Sequence, residues 1–416
     1  FEAAFINDYY NPKAKNRRDR DRNLYVRKLE LVPTEISLDQ LPKSHRQIIF
    51  VTPDKDLAPK AATEQILRRF IGRAFRRPAL DEEVEKFTEL AMFARSNEET
   101  FERGIQLAVT GILVSPHFLF RVESQAQPEN AERIQPISDY DLASRLSYFL
   151  WSTMPDEELL SLAAQGKLRE PKVLEQQTRR MLADKKSQAL VDNFATQWLN
   201  LRNLDEVSPD PKRFPTFDDK LRQDMQRETE EFFSAIMRED RSVMEFLSAN
   251  FTYLNQRLAE HYGISGVKGE EFQKVSLAGI PRAGVLTQAS ILTLTSNPTR
   301  TSPVKRGKWI LENMLNEPPP PPPPNVPELE EVAKEKPGMS LRKQLEIHRE
   351  SPTCASCHNL MDPIGLGFEN FDAIGKWRDK DGKLPVDASG ELPGHQKFNG
   401  PIELINLLKK KEPQFR

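Results

Sequence analysis

Cys354, Cys357 and His358 are the residues of this chain whose types and spacing could do the most specific chemistry. They lie in the run Cys354-Ala355-Ser356-Cys357-His358, and the 416 residues hold only two cysteines. Cys-x-x-Cys-His is the spacing at which two thioethers hold the edge of a haem while the next histidine reaches the iron. Two cysteines placed at random would give this arrangement on the order of once in ten thousand chains. Three other chemistries use such a pair: a vicinal redox dithiol with a lowered thiol pKa, a plain disulfide, or half of a zinc site. Zinc needs four ligands, so His348, His358 or a distant carboxylate would have to complete the set. A thioredoxin-like pair opens a helix after a buried strand, whereas Arg349-Glu350-Ser351-Pro352 precedes this one. The residues favour c-type haem attachment, with a structural disulfide or thiol pair as the alternative.

On the haem reading, haem c is the cofactor, Cys354 and Cys357 are its anchors, and His358 is the proximal iron ligand. Met361 follows His358 by three residues, which on a helical turn puts it on the same side of the porphyrin, so it is expected to pack against the ring. A distal ligand must come from elsewhere; His348, His395, Met339 and Met314 are candidates in falling order. Two axial ligands would suit electron transfer, and an open position would suit chemistry on peroxide, oxygen or a substrate. Gly365 and Gly367 are expected to permit close approach to the macrocycle or to a neighbouring helix. Asp362, Glu369 and Asp372 are expected as caps or as partners of Arg378. His117 and His261 each stand alone and read as structural. The chain has no Gly-rich phosphate loop, Ser nucleophile elbow or His-Glu-x-x-His, so no catalytic residue is assigned and an oxidoreductase activity stays open.

Helical patterning dominates the sequence around these residues. Thr63 to Phe75 places Ile66, Leu67, Phe70, Ile71 and Phe75 on one stripe, and Asp81-Glu82-Glu83 opens the next helix with an acidic first turn. Phe101 to Val114 forms a third, closed by Ser115-Pro116. Ser138-Asp139-Tyr140-Asp141 starts a helix expected to bury Leu142, Leu146, Phe149 and Leu150, and Pro155 is expected at the first position of another. Val173 to Leu182, Ala189 to Leu201 and Phe217 to Met237 continue the series, with Phe232, Phe233, Ile236 and Met237 as core. Pro318 to Pro324 is a seven-proline run, a stiff polyproline II strap. Met339 to Arg349 then forms a short amphipathic helix leading into the cysteine motif.

The N-terminal end differs. Leu24 to Val32 alternates with a strand period and is closed by Pro33. The chain is therefore expected to be mainly α, with a β-sandwich remnant at residues 1–33, a linker at 34–60, a small helical domain at 61–130, a main helical domain at 131–317, the strap at 318–327 and a small cytochrome-c-like region at 328–416. Phe1 and the helix-like run at the C-terminus read as cuts within a longer protein. Lysine plus arginine (60) nearly cancels aspartate plus glutamate (62), so no global field favours nucleic acid. Mean hydropathy is −0.61, and no apolar run reaches the roughly 18 residues of a membrane span.

Two resemblances refine this. Phe5-Ile6-Asn7-Asp8 and Asp21-Arg22-Asn23-Leu24-Tyr25-Val26 resemble the closing strands of calcium-dependent xylan-binding carbohydrate modules, which implies Asp8 and Asp21 as calcium ligands and a polysaccharide as ligand. Phe70 to Pro78, Leu142 to Trp151, Asn250 to Asn255, Thr301 to Trp309 and Cys354 to Asp372 resemble successive signatures of one group. It is the planctomycete-type multidomain cytochrome-c-associated proteins of unknown function. That resemblance implies export to the periplasm or envelope and an upstream cytochrome domain or another electron-transfer protein as partner; it implies no particular substrate.

Overall fold

The computed structural model describes residues 10–20, 38–123, 136–321 and 339–415. Two compact units divide the chain, Phe1–Arg121 and Val122–Arg416. The first is built on three helices: α1 (Pro59–Ala74), α2 (Asp81–Ser96) and α3 (Phe101–Leu113). Pro59 occupies the first turn of α1, where its missing N–H costs nothing. Glu83 reaches back to the Leu80 N–H at the start of α2 and also pairs with Arg77. Leu67, Ile71, Phe75, Val84, Phe87, Ala108 and Ile112 close the core, the 3.6-residue stripes of the sequence brought face to face. Gly104 lets α3 approach the backbone of α2; a Cβ there would stand 2.8 Å from the Ala91 carbonyl oxygen. After α1 the buried Arg76 takes a left-handed backbone and donates to the carbonyls of Ala74, His117 and Phe120. His117, single in the sequence, supplies one of those carbonyls and rests its ring on Phe75, a structural role.

The second unit contains the longer helices α4 (Asp139–Trp151), α5 (Glu157–Ala164), α6 (Pro171–Ala183) and α7 (Asp219–Arg238). Strand β1 (Phe251–Leu254), helix α8 (Gln256–Tyr262) and strand β2 (Gln273–Ser276) follow, β1 and β2 pairing antiparallel with Phe251 opposite Ser276. Next come α9 (Ala289–Leu294), α10 (Pro303–Asn313), α11 (Leu341–His348) and α12 (Pro352–Leu366). The chain closes with two short hairpins, β3 (Lys380–Asp381) with β4 (Leu384–Pro385) and β5 (Ser389–Leu392) with β6 (Gln396–Asn399), and then α13 (Pro401–Leu408). The protein is mainly α, with small two-stranded sheets.

Polar side chains start these helices, at Ser138 as the sequence predicts: Ser138, Asp156, Asn255 and Ser302 each accept the N–H three residues on. Two expectations shift. Asp156, not Pro155, caps α5, so the proline lies just outside it. In α4 the buried stripe is Ala143, Ser147, Leu150 and Trp151, while Phe149 is 58 % exposed. Small residues at 143 and 147 allow close packing, and that closeness, not side-chain size, chose the inward face. One hydrophobic core joins α4, α7, α10, α12 and α13 and so spans both sides of the proline run. No helix among the described residues is long and apolar enough to cross a membrane.

Candidate haem-attachment site

Helix α12 opens at Pro352, directly after Ser351. Cys354, Cys357, His358 and Met361 recur at the spacing of one helical face. Both thiols are free; Cys354 is half-buried and Cys357 is 8 % exposed. The Cys357 sulfur lies 3.7 Å from the carbonyl of Pro320, in the described part of the proline strap. His358 is held from within its own helix: Nδ1 lies 2.9 Å from Oδ1 of Asp362, which is fully buried at 0 % exposure. The other oxygen of Asp362 makes no hydrogen bond, and Arg349 Nε stands 3.6 Å from it. With Nδ1 engaged, Nε2 is the ring nitrogen left to bind a metal.

Helix α10 fixes this arrangement from further along the same face of α12. Gly307 on α10 meets the backbone of Met361, and Gly365 on α12 meets the backbone of Pro303, so tightly that a Cβ at either glycine would collide with the facing carbonyl. The close approach predicted at Gly365 is to a neighbouring helix, and Gly307 is its counterpart. Met361, expected against a ring, joins the hydrophobic core with its backbone against α10.

Past α12 the chain is pinned by buried charge. Arg306 on α10 donates to the carbonyls of Phe368, Phe371 and Asp372 and pairs with Glu369, and burial lowers its pKa to about 10. Glu369 also accepts from Arg378 and Thr301. Its expected pairing with Arg378 is therefore present, and Arg306 is the addition. Asp372 caps the following turn, accepting from the backbone of Ile374 and Lys376. Trp377 rests edge-on against Phe371. His261 bonds the carbonyl of Ile374, a structural role; burial lowers its pKa.

Of the candidate distal ligands, the structure brings His348 to His358. Their ring centres are 4.6 Å apart at 68°. Burial, and then the neighbouring His358, lower the pKa of His348. His395 lies in the β5–β6 turn, with a 95 % exposed side chain bonded to Glu391. Met339 is half-buried just before α11, its carbonyl accepting from Gln344. Met314 is buried in the core. Asp8 and Asp21 lie outside the described residues. Among those residues no group of three histidine, cysteine or acidic side chains is poised to hold a bare metal ion. A polar cleft of about 210 Å³ lies among Lys220, Asn255, Arg257 and Glu270 and includes none of the α12 residues.

These donors fit a c-type haem in kind: two unpaired thiols and an imidazole on one helical face, with a buried carboxylate orienting the ring. Asp362 was underread in the sequence as a cap. Its position four residues after His358 on a helix was the available signal.

Three family models match, in order along the chain. Residues 62–123 match a protein of unknown function (DUF1595), residues 137–264 a protein of unknown function (DUF1592), and residues 282–381 a protein of unknown function (DUF1588, PSCyt3). The last spans α10, α12 and the cysteine motif. No curated protein and no solved structure matches the chain. With these three domains in succession, the chain belongs to the planctomycete-type group of cytochrome-c-associated multidomain proteins of unknown function.

Proposed function

We propose that the protein is an exported c-type haem protein serving electron transfer or haem-based oxidoreduction. Cys354 and Cys357 hold the porphyrin through thioethers, and His358 Nε2 is the proximal ligand. His348 is the favoured second axial ligand because, of the candidates, it is the one the structure brings to His358; its ring would have to part from that of His358 to admit the porphyrin. When bound, the haem supplies a one-electron couple; the chain's own contribution is to orient the imidazole and cover the thiol side. The observation that carries this reading is the single helical face bearing two free thiols and an imidazole whose Nδ1 is tied to a buried carboxylate. Attachment of haem c places the mature protein in the periplasm or envelope, with an electron-carrying protein or an upstream cytochrome domain as partner.

The test is expression of the full chain with an export signal and the c-type maturation machinery. A pyridine haemochrome spectrum typical of two thioethers is expected, with pigment that stays on the chain under denaturing conditions and is lost in a Cys354→Ser/Cys357→Ser double variant. A colourless product with the two cysteines joined in a disulfide would sink the proposal and favour a binding or scaffold role.

A further inference from the structure

We infer that Asp362, acting through His358, raises the electron density at the iron-binding nitrogen and so holds the haem iron at a low reduction potential. The inference rests on the haem reading above and adds to it a positioning residue with a defined electronic effect.

Asp362 is fully enclosed, yet only one of its oxygens has a hydrogen-bond partner, and that partner is His358 Nδ1. A buried carboxylate deprived of its donors costs several kcal/mol, so the imidazole proton resides on Nδ1 and the lone pair on Nε2. A carboxylate that accepts from the far ring nitrogen makes a ligating imidazole more basic. The more basic ligand stabilises the ferric iron, which carries the extra positive charge, over the ferrous. Arg349 works against this by drawing charge to the other oxygen, though from 3.6 Å and without a hydrogen bond.

Geometry keeps the carboxylate from relaxing away. Met361, directly before it, lies against Gly307, and Gly365, three residues on, lies against Pro303. Asp362 is thus set on the stretch of α12 that is clamped to α10. A residue needed only to fill space or cap a turn would not require a charged group on this clamped stretch, aimed at the one histidine of the motif.

The experiment compares haem-loaded wild type with Asp362→Asn and Arg349→Gln by spectroelectrochemical titration, and reads the His358 tautomer in the haem-free wild type by ¹⁵N NMR. Asp362→Asn is expected to change the ferric-to-ferrous balance by about 10–100-fold. At 59 mV per tenfold for one electron, that is a shift of about 60–120 mV to more positive potential. Arg349→Gln is expected to move the potential the opposite way, and the haem-free tautomer to carry its proton on Nδ1. A loaded Asp362→Asn protein with the wild-type potential overturns the inference, as does an Nε2-protonated His358 in the haem-free chain. If Asp362→Asn does not accumulate, an Arg349→Gln protein with unchanged potential overturns it instead. A wild-type chain that takes up no haem overturns the haem reading itself, and is thereby distinguished from failure of this inference.

Discussion

Arg76 and Arg306 use the same device in two regions with different tasks. Each is buried, and each gathers carbonyls at or beyond helix ends: Ala74, His117 and Phe120 around Arg76, and Phe368, Phe371 and Asp372 around Arg306. Around Arg76 the three helices already meet through apolar stripes, and the arginine ties down the tail. Around Arg306 the packing is of another kind, with backbone against backbone at Gly307 and Gly365 and a buried carboxylate, Glu369, between two arginines. The face of α12 that carries the thiols and the imidazole has only Cys357 and Met361 in the core, so it offers little apolar side-chain volume to hold the helix. The helix is held further along that same face, by backbone contacts at Met361 and Gly365 that need little side-chain volume. The comparison therefore assigns unit 2 a heavier dependence on a few buried polar and glycine positions than unit 1 has.

The sharpest way to break that contrast is to remove each arginine. Arg306→Met strands three carbonyls and takes one cation from the buried Glu369, a change expected to cost about 3–5 kcal/mol. Arg76→Met loses hydrogen bonds to carbonyls beside the half-exposed segment 118–120, where water can replace part of what is lost, and should cost about 1–2 kcal/mol. The four tryptophans are Trp151, Trp198, Trp309 and Trp377, all in unit 2. Urea unfolding followed by tryptophan emission therefore reports that unit, and far-ultraviolet circular dichroism reports both. Equal losses from the two variants, each in its own unit's transition, would dissolve the distinction.

The glycines give a smaller, paired test. Gly365→Ala drives a Cβ into the Pro303 backbone, which cannot yield unless α10 and α12 separate, and should cost about 3 kcal/mol in the tryptophan-reported transition. Gly104→Ala in unit 1 meets the Ala91 carbonyl at 2.8 Å and should cost about 1 kcal/mol, since a slight shift of α3 relieves it. If Gly365→Ala unfolds at the wild-type urea midpoint, the backbone clamp on α12 is not what holds the helix.

Much of this architecture was legible in the chain, for reasons specific to each part. The stripe of Ile66, Leu67 and Ile71 and the cap Ser138 express local rules acting within a turn or two. The cysteine and histidine spacing reads directly as one helical face. Phe149 was misplaced because apolarity marks a stripe but does not say which of two adjacent stripes packs more closely. Arg306 was not legible as a partner of Glu369, because the two are 63 residues apart and only the α10 and α12 crossing joins them. The proline run marks where the chain leaves regular structure, and carries no information on whether the segments either side share a core.

The last test uses pH, and it is confined to unit 2. Glu228 on α7 is fully buried and accepts from Thr252 and Tyr262, and burial raises its pKa to about 7. A raised carboxyl pKa means that the folded unit keeps a proton the unfolded chain has already released. Stability from this group is present below the unfolded value of 4.5 and is lost as pH rises toward about 7. Between pH 5 and 6.5 the loss is at most about 2 kcal/mol, one proton's linkage over that interval. His261 slopes the other way: its lowered pKa makes stability fall as pH drops below 6.5. The readable quantity is therefore the difference between wild type and Glu228→Gln, in which the histidine contribution cancels. The tryptophan-reported urea midpoint of the glutamine variant should hold up better between pH 5 and 6.5 than that of wild type. Parallel profiles would mean that Glu228 is ionised in the folded protein, and that Arg282, stacked on the Tyr262 ring, compensates its charge from across that ring.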